Sequence, residues 1–280
     1  MQFDLDLELP LPLVHRRVHV HEGSDSRLGD CTLAAEVPVS LVFNGVSHAV
    51  MMATPLDLEA FALGFALSEG ILDHQRECHA MDVRLLDASE AGLPEGVQAV
   101  EVALTISSRC FERLKLRRRS MAGRTGCGVC GVESFAGLGL DLTPGMRPGW
   151  IERIDATTVL RAFEDLPRGQ QLNAQAGAIH AAGWARTDGR LTDVLEDIGR
   201  HNALDKLLGT LARTDRLAEP GFVVLTSRGS HELVRKCARL GIAALATLSA
   251  PTAMGVRMAE LSGLRLWGLC RRTRAVQYVP

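Results

Sequence analysis

The chain has 280 residues, of which 46% are hydrophobic and 23% charged, enough apolar material for one large domain or two modest ones and too much for disorder over most of its length. A formal net charge of −2 does not suggest a general nucleic-acid binder, so any anion site must be local. The start, Met1 to Glu8, alternates apolar and acidic residues without the basic and apolar regions of a signal peptide, and no apolar run is long enough to span a bilayer. A cytoplasmic protein is expected. The seven cysteines are an odd number without the spacing of a disulfide framework, so they are read as reduced thiols, with Cys31 and Cys237 as small core residues.

From Val14 to Val20 apolar residues alternate with His15, Arg17 and His19, and His21 continues the polar face, which predicts a solvated edge strand. Asn44-Gly45 between apolar runs predicts a hairpin over 41–50. Thr54-Pro55-Leu56-Asp57 reads as a helix start with Thr54 as N-cap and Pro55 at the first helical position, and Gly70 ends that helix. Strands are expected at 79–86 and 97–105, and a helix at 109–119 that closes on the Lys115–Arg119 cluster. Pro144 to Pro148, interleaved with glycine, reads as a linker.

After the linker the elements alternate. Helices are expected at 157–166, 201–212, 230–240 and 252–261, and strands at 178–185, 191–196, 222–226, 242–247, 264–269 and 275–279. Such alternation predicts an α/β fold, a mixed sheet covered by helices. The chain divides into a β-rich region with helices over 1–122, a glycine-rich loop and linker over 123–149, and an α/β domain over 150–280.

The densest chemical signal is GRTGCGVCG over 123–131, which puts Cys127 and Cys130 three residues apart in a segment too rich in glycine for a rigid helix or strand. One thiol can act as nucleophile while the other resolves, receives or protects a bound sulfur, and Arg124 favours thiolate. The motif alone leaves redox catalysis, half a zinc site and sulfur transfer open. His180-Ala-Ala182 lacks the glutamate of an H-x-E motif and the C-x-x-C lies upstream of it, which disfavours a zinc deaminase.

Four further segments sit at strand ends. EDIGRHNALDK over 196–206 puts Arg200 and His201 at a helix start able to meet phosphate, or forms a helix entrance satisfied by its own polar groups. Ser227 and Arg228 lie in TSRGS over 226–230, between a buried strand and a helix, and SAPT over 249–252 repeats that geometry with Thr252 as N-cap. Leu269, Cys270, Arg271, Arg272, Thr273 and Arg274 gather three guanidinium groups suited to phosphate, or a basic surface loop.

In order, GRTGCGVCGVE (123–133), EDIGRHNALDKLL (196–208), LTSRGSHELVRKCARL (225–240) and SAPTAMGVRMAE (249–260) resemble the FdhD family, the formate dehydrogenase accessory sulfurtransferases. The resemblance implies a carboxyl-terminal region similar to the cytidine deaminase fold, without its activity. It implies that a cysteine desulfurase passes sulfur to Cys127 as a persulfide, with Cys130 assisting transfer or receiving sulfur. The acceptor it implies is a molybdenum or tungsten bis-molybdopterin guanine dinucleotide cofactor on its way to formate dehydrogenase, with no metal resident in the carrier. The guanine dinucleotide would be held around Arg200, His201, Ser227, Arg228 and 269–274, and the protein would be a homodimer. Residues 270–274 read CRRTR where many members have lysine, proline and glycine before the last arginine, which keeps the positive charge and changes the backbone chemistry.

Overall fold

The computed structural model describes residues 9–119, 145 and 147–280, and Cys127 and Cys130, with Pro144 and Met146 of the expected linker, lie outside the described residues. Strands β1 (Leu13–Glu22) and β2 (Asp25–Ala34) form an antiparallel ribbon in register from Leu13 opposite Ala34 to Glu22 opposite Asp25. Among the described residues the ribbon is a sheet of two strands, and Cys31 on β2 is only half-buried, not the core residue expected from its apolar neighbours. Next come β3 (Val37–Phe43) and β4 (Val46–Ala53). Asn44 (φ 46°) and Gly45 (φ 77°) both occupy the left-handed region, as the predicted two-residue hairpin turn requires.

Helix α1 (Leu58–Ser68), β5 (Cys78–Leu86), the short α2 (Ala88–Ala91), β6 (Ala99–Ile106) and α3 (Ser108–Arg119) complete the first unit. The four strands order β4-β3-β6-β5, with β3 and β6 parallel and the outer pairs antiparallel. Asn44 ties the hairpin to β6: its Nδ2 donates to the Ile106 carbonyl at 3.0 Å and its Oδ1 accepts from the Ile106 N–H at 2.7 Å. The helix predicted to open at Thr54 begins at Leu58 instead, after Asp57 in the left-handed region (φ 54°). Thr54 does not cap this helix, because its N–H and hydroxyl are used by residues of the other unit, described below. Gly70 does follow the helix end, at φ 70°.

A 3-10 turn at Gly149–Arg153 leads into α4 (Ala156–Gly169), whose N-cap Asp155 accepts from Thr158 N–H at 2.8 Å. The remaining elements are α5 (Asn173–Ala176), β7 (His180–Arg186), β8 (Leu191–Asp197), α6 (Arg200–Arg213), β9 (Gly221–Leu225), α7 (His231–Arg239), β10 (Ala244–Thr247), α8 (Ala253–Ser262), β11 (Arg265–Arg271) and β12 (Arg274–Val279). The sheet orders β12-β11-β10-β9-β7-β8: three central parallel strands, an antiparallel hairpin on one flank and β12 antiparallel on the other. Ile154, Val159, Ala162 and Phe163 cover one face together with Phe222 and Trp267. Leu204, Leu207 and Leu211 of α6, Leu233 and Val234 of α7 and Met258 of α8 cover the other. The expected mixed sheet covered by helices is the one observed, and no helix among the described residues is long and apolar enough to cross a membrane.

The two units lock through α1 and α6. A Cβ added at Gly64 would lie 1.8 Å from the Asp205 carbonyl oxygen, and one at Gly209 would lie 1.8 Å from that of Ala60. Only glycine at both positions lets these helix backbones touch. Two buried ionic clusters flank the crossing. Lys236 Nζ lies 2.8 Å from Asp205 Oδ2, from Glu69 Oε1 and from Ser68 Oγ, which in turn donates to Asp205 Oδ1 at 2.7 Å. Burial works against the charged Lys236, but Asp205 and Glu69 outweigh it and raise its pKa. The second cluster surrounds Asp197, just ahead of α6.

Candidate functional site

The parallel strands β9, β10 and β11 end at one edge of the sheet, and antiparallel β7 begins there. His180 opens β7 opposite Asp197 at the end of β8, and Thr226, just past β9, donates its N–H to the Ala181 carbonyl at 3.1 Å. The loops after β9 and β10 are stitched together: Ser249 N–H donates to the Ser227 carbonyl at 3.4 Å and Thr252 N–H to that of Gly229 at 3.0 Å. Thr252 caps α8 as expected, its Oγ1 accepting from Gly255 N–H at 3.1 Å. A Cβ at Gly255 would stand 2.3 Å from the Gly229 carbonyl oxygen, so the loop and helix need glycine to approach. The β11–β12 hairpin joins the same edge, with Leu269 N–H donating to the Ser249 carbonyl at 3.3 Å and Arg271 Nε to that of Leu248 at 3.1 Å.

This edge gathers most of the residues singled out in the sequence. Arg271 and Arg274 pair across the hairpin, and Arg272 turns it in the left-handed region (φ 52°). Arg271, Arg272, Thr273 and Arg274 are exposed, as is Arg228, whereas Ser227 is buried and donates its hydroxyl to the Arg228 carbonyl at 3.2 Å. Leu269 is half-buried in a strand irregularity at φ 53°. Cys270 is the exception. The irregularity at Leu269 turns its thiol into the core beside Trp267 and Ala246, where burial pushes its pKa up to about 12 against a hydrogen bond from Thr247, so its side chain is removed from the expected ligand-lining set.

Arg200 and His201 occupy the first turn of α6, after the N-cap Gly199. His201 Nε2 lies 3.2 Å from Glu232 Oε2, which also accepts from Ser230 Oγ at 3.1 Å. The His201 hydrogen bond, against the cost of burial, holds the Glu232 carboxyl down to about 2. His180 Nδ1 sits 3.3 Å from Thr226 Oγ1. Burial lowers the His180 pKa, Arg200 and His201 lower it further, and Asp197 opposes them, which keeps this imidazole neutral at physiological pH. The edge is therefore a cationic rim around a neutral imidazole and an ionised carboxylate. Glu232 and Thr226 were not singled out from the sequence: an acid in the first turn after Ser230 reads as ordinary helix-start chemistry.

The rest of the 196–206 segment turns inward. Glu196 accepts from Leu172 N–H at 2.8 Å and Asn173 N–H at 2.9 Å. Asp197 accepts from Thr54 N–H at 3.0 Å, Gly199 N–H at 2.8 Å and Asn202 Nδ2 at 2.9 Å, and pairs with Lys206 at 2.8 Å. The self-satisfied helix entrance thus describes these four residues, and only Arg200 and His201 are left to face the edge. Among the described residues no group of His, Cys, Asp or Glu is placed to hold a metal ion.

A family model described as the FdhD/NarQ family matches residues 34–280. The chain belongs to the FdhD/NarQ family. Among its relatives, the sulfur carrier protein FdhD of Burkholderia mallei is 47% identical over 271 residues, 96% of each chain. That of Chromobacterium violaceum is 48% identical over 258 residues, 92% of each chain. A crystal structure of a candidate formate dehydrogenase accessory protein from Desulfotalea psychrophila superposes with a TM-score of 0.68 at 20% identity, covering 97% of this chain and 98% of that one, and so shares the fold. The FdhD/NarQ match spans both sheets and the strand-end edge; the ribbon begins ahead of it, at Leu13.

Proposed function

We propose that this chain is a sulfur carrier in which Cys127 takes sulfur from a cysteine desulfurase as a persulfide and hands it to a guanine dinucleotide pterin cofactor destined for formate dehydrogenase. The observation that carries the reading is near-full-length identity of 47% to proteins named sulfur carriers. In the loading step the Cys127 thiolate attacks the terminal sulfur of the donor's persulfide. The donor's S–S bond breaks as the Cys127 S–S bond forms, and the donor cysteine leaves as a thiolate. Cys130 assists or receives the sulfur. The acceptor, molybdenum or tungsten bis-molybdopterin guanine dinucleotide, is a substrate here and not a resident cofactor. Its phosphates would be met by Arg200, His201, Arg228, Arg271, Arg272 and Arg274, with free N–H groups at the start of α6, a donor set that suits diphosphate. The protein would act as a cytoplasmic homodimer.

The test is formate dehydrogenase activity in cells lacking the carrier, complemented with wild type or Cys127→Ala, alongside GDP binding by the purified proteins. The reading predicts no activity with Cys127→Ala and unchanged GDP affinity. Full activity with Cys127→Ala would leave a cofactor-binding chaperone whose thiols are incidental.

A further inference from the structure

Thr54 belongs to the first unit, between β4 and α1, yet its N–H and hydroxyl are spent on the second, and its carbonyl is shared between Leu56 N–H at 2.7 Å and the second unit. Its N–H donates to Asp197 Oδ2 at 3.0 Å, its hydroxyl accepts from Ile198 N–H at 3.2 Å, and its carbonyl accepts from Lys206 Nζ at 3.1 Å. Asn202 adds a parallel tie, its Nδ2 donating both to the Met52 carbonyl at 2.8 Å and to Asp197 Oδ1 at 2.9 Å. Thr54, Asp197 and Lys206 are fully buried, so solvent cannot replace any of these partners.

What they enclose is the turn Asp197-Ile-Gly199, which sets where α6 begins. Asp197 Oδ1 accepts from the N–H of Gly199, the N-cap, and Arg200 and His201 follow directly. The turn has no side-chain cap of the usual kind, and its backbone N–H groups at Ile198 and Gly199 are satisfied by Thr54 and Asp197 instead. A shift here moves both side chains at the strand-end edge together. The opposite side is pinned by Glu232 on His201, so the first turn of α6 is held between a clamp from the first unit and a bridge to α7.

We infer that Thr54 is a positioning residue for the strand-end site: through Ile198 and Asp197 it fixes the first turn of α6 so that Arg200 and His201 converge on a bound diphosphate. The inference rests on the reading that a guanine nucleotide binds at this edge. It makes the first unit part of the binding apparatus without touching the ligand, and gives the buried residues of the 196–206 segment a role in recognition beyond stability.

The experiment measures GDP affinity by calorimetry, and thermal unfolding, for the full chain and for Thr54→Val, Thr54→Ser, Asn202→Ala and Leu166→Ala. Valine keeps the shape and leaves Ile198 N–H without an acceptor; serine restores the hydroxyl. Leu166→Ala opens a core cavity on the other face of the sheet and controls for lost stability alone. The expected result is GDP affinity about tenfold weaker for Thr54→Val, the worth of one buried hydrogen bond. Asn202→Ala is weakened in the same sense, whereas Thr54→Ser and Leu166→Ala match wild type. Folded Thr54→Val binding GDP as tightly as wild type would overturn the inference, as would equal weakening by Leu166→Ala. Should Thr54→Val fail to fold, unchanged affinity in Asn202→Ala would overturn it. If the wild-type chain binds no GDP, the ligand reading itself fails, a result distinct from any difference among variants.

Discussion

Lys206 Nζ stands 2.8 Å from Asp197 Oδ2 with neither side chain exposed to solvent, and the pair joins β8 and α6 to the chain between β4 and α1. Burial lowers the Lys206 pKa, and Asp197 works against that shift. The carbonyls of Thr54 and Glu196, each 3.1 Å from Nζ, complete the cation's shell. A buried pair of this kind contributes little relative to an apolar substitute for both partners, but neither partner can be removed alone.

Lys206→Met should therefore lower the unfolding free energy by about 3–5 kcal/mol, because Asp197 is left buried with its cation gone. Denaturant unfolding monitored by circular dichroism reads the change. A loss of less than about 1 kcal/mol would mean that the other donors suffice for the carboxylate.

Gly209→Ala should be at least as damaging, since its methyl would meet the backbone of α1 and not a side chain that can swing away. Gly149→Ala, with open space around the added carbon, should change stability little. Comparable melting temperatures for the two variants would contradict the close α1–α6 crossing.

Acid should loosen the bridge between α6 and α7. The Glu232 carboxyl is depressed from an ordinary 4.5 to about 2 in the folded chain, so its stabilisation is fully present above pH 4.5 and is lost as pH falls toward 2. Glu232→Gln should flatten that part of a stability-versus-pH profile while leaving the region above pH 5 nearly parallel to wild type. Identical acid limbs for the two proteins would count against the His201–Glu232 contact.

The thiols should sort by burial. Cys237 and Cys270 are fully buried, and burial pushes both up to about 12, against Lys236 at the first and a Thr247 hydrogen bond at the second. Neither should react with iodoacetamide in the native protein at pH 8, and both should react after denaturation. Rapid native labelling of Cys270 would put its thiol at the hairpin surface after all.

Replacing Arg271, Arg272 and Arg274 together by alanine should weaken GDP binding about tenfold or more and reduce its salt dependence, because exposed guanidinium groups act through screened charge. Unfolding temperature should hardly move. An unchanged affinity would take the hairpin out of the ligand site.

Local patterns made much of this molecule legible: Asn44-Gly45 for the hairpin, Gly70 for a helix end, Thr252 for a cap, and the alternation after residue 150 for the layered sheet. What failed was long-range. Thr54-Pro55 has the signature of a helix start, but its polar groups are claimed by residues more than 140 positions away, and no local rule registers that competition. Asp197, Asn202 and Lys206 carry the same side-chain types as a ligand site, and only the packing of the two units shows that they face inward. Cys270 looked like part of a basic loop because its neighbours are arginines; the strand irregularity at Leu269 turns it into the core.

The most direct test of the sulfur-carrier account is peptide mass spectrometry after incubating the protein with an active cysteine desulfurase and cysteine, with and without Cys127→Ala. The account predicts a reductant-labile gain of one sulfur atom on the peptide containing Cys127, absent from the variant. No gain on wild type, with the desulfurase shown to be turning over, would contradict it.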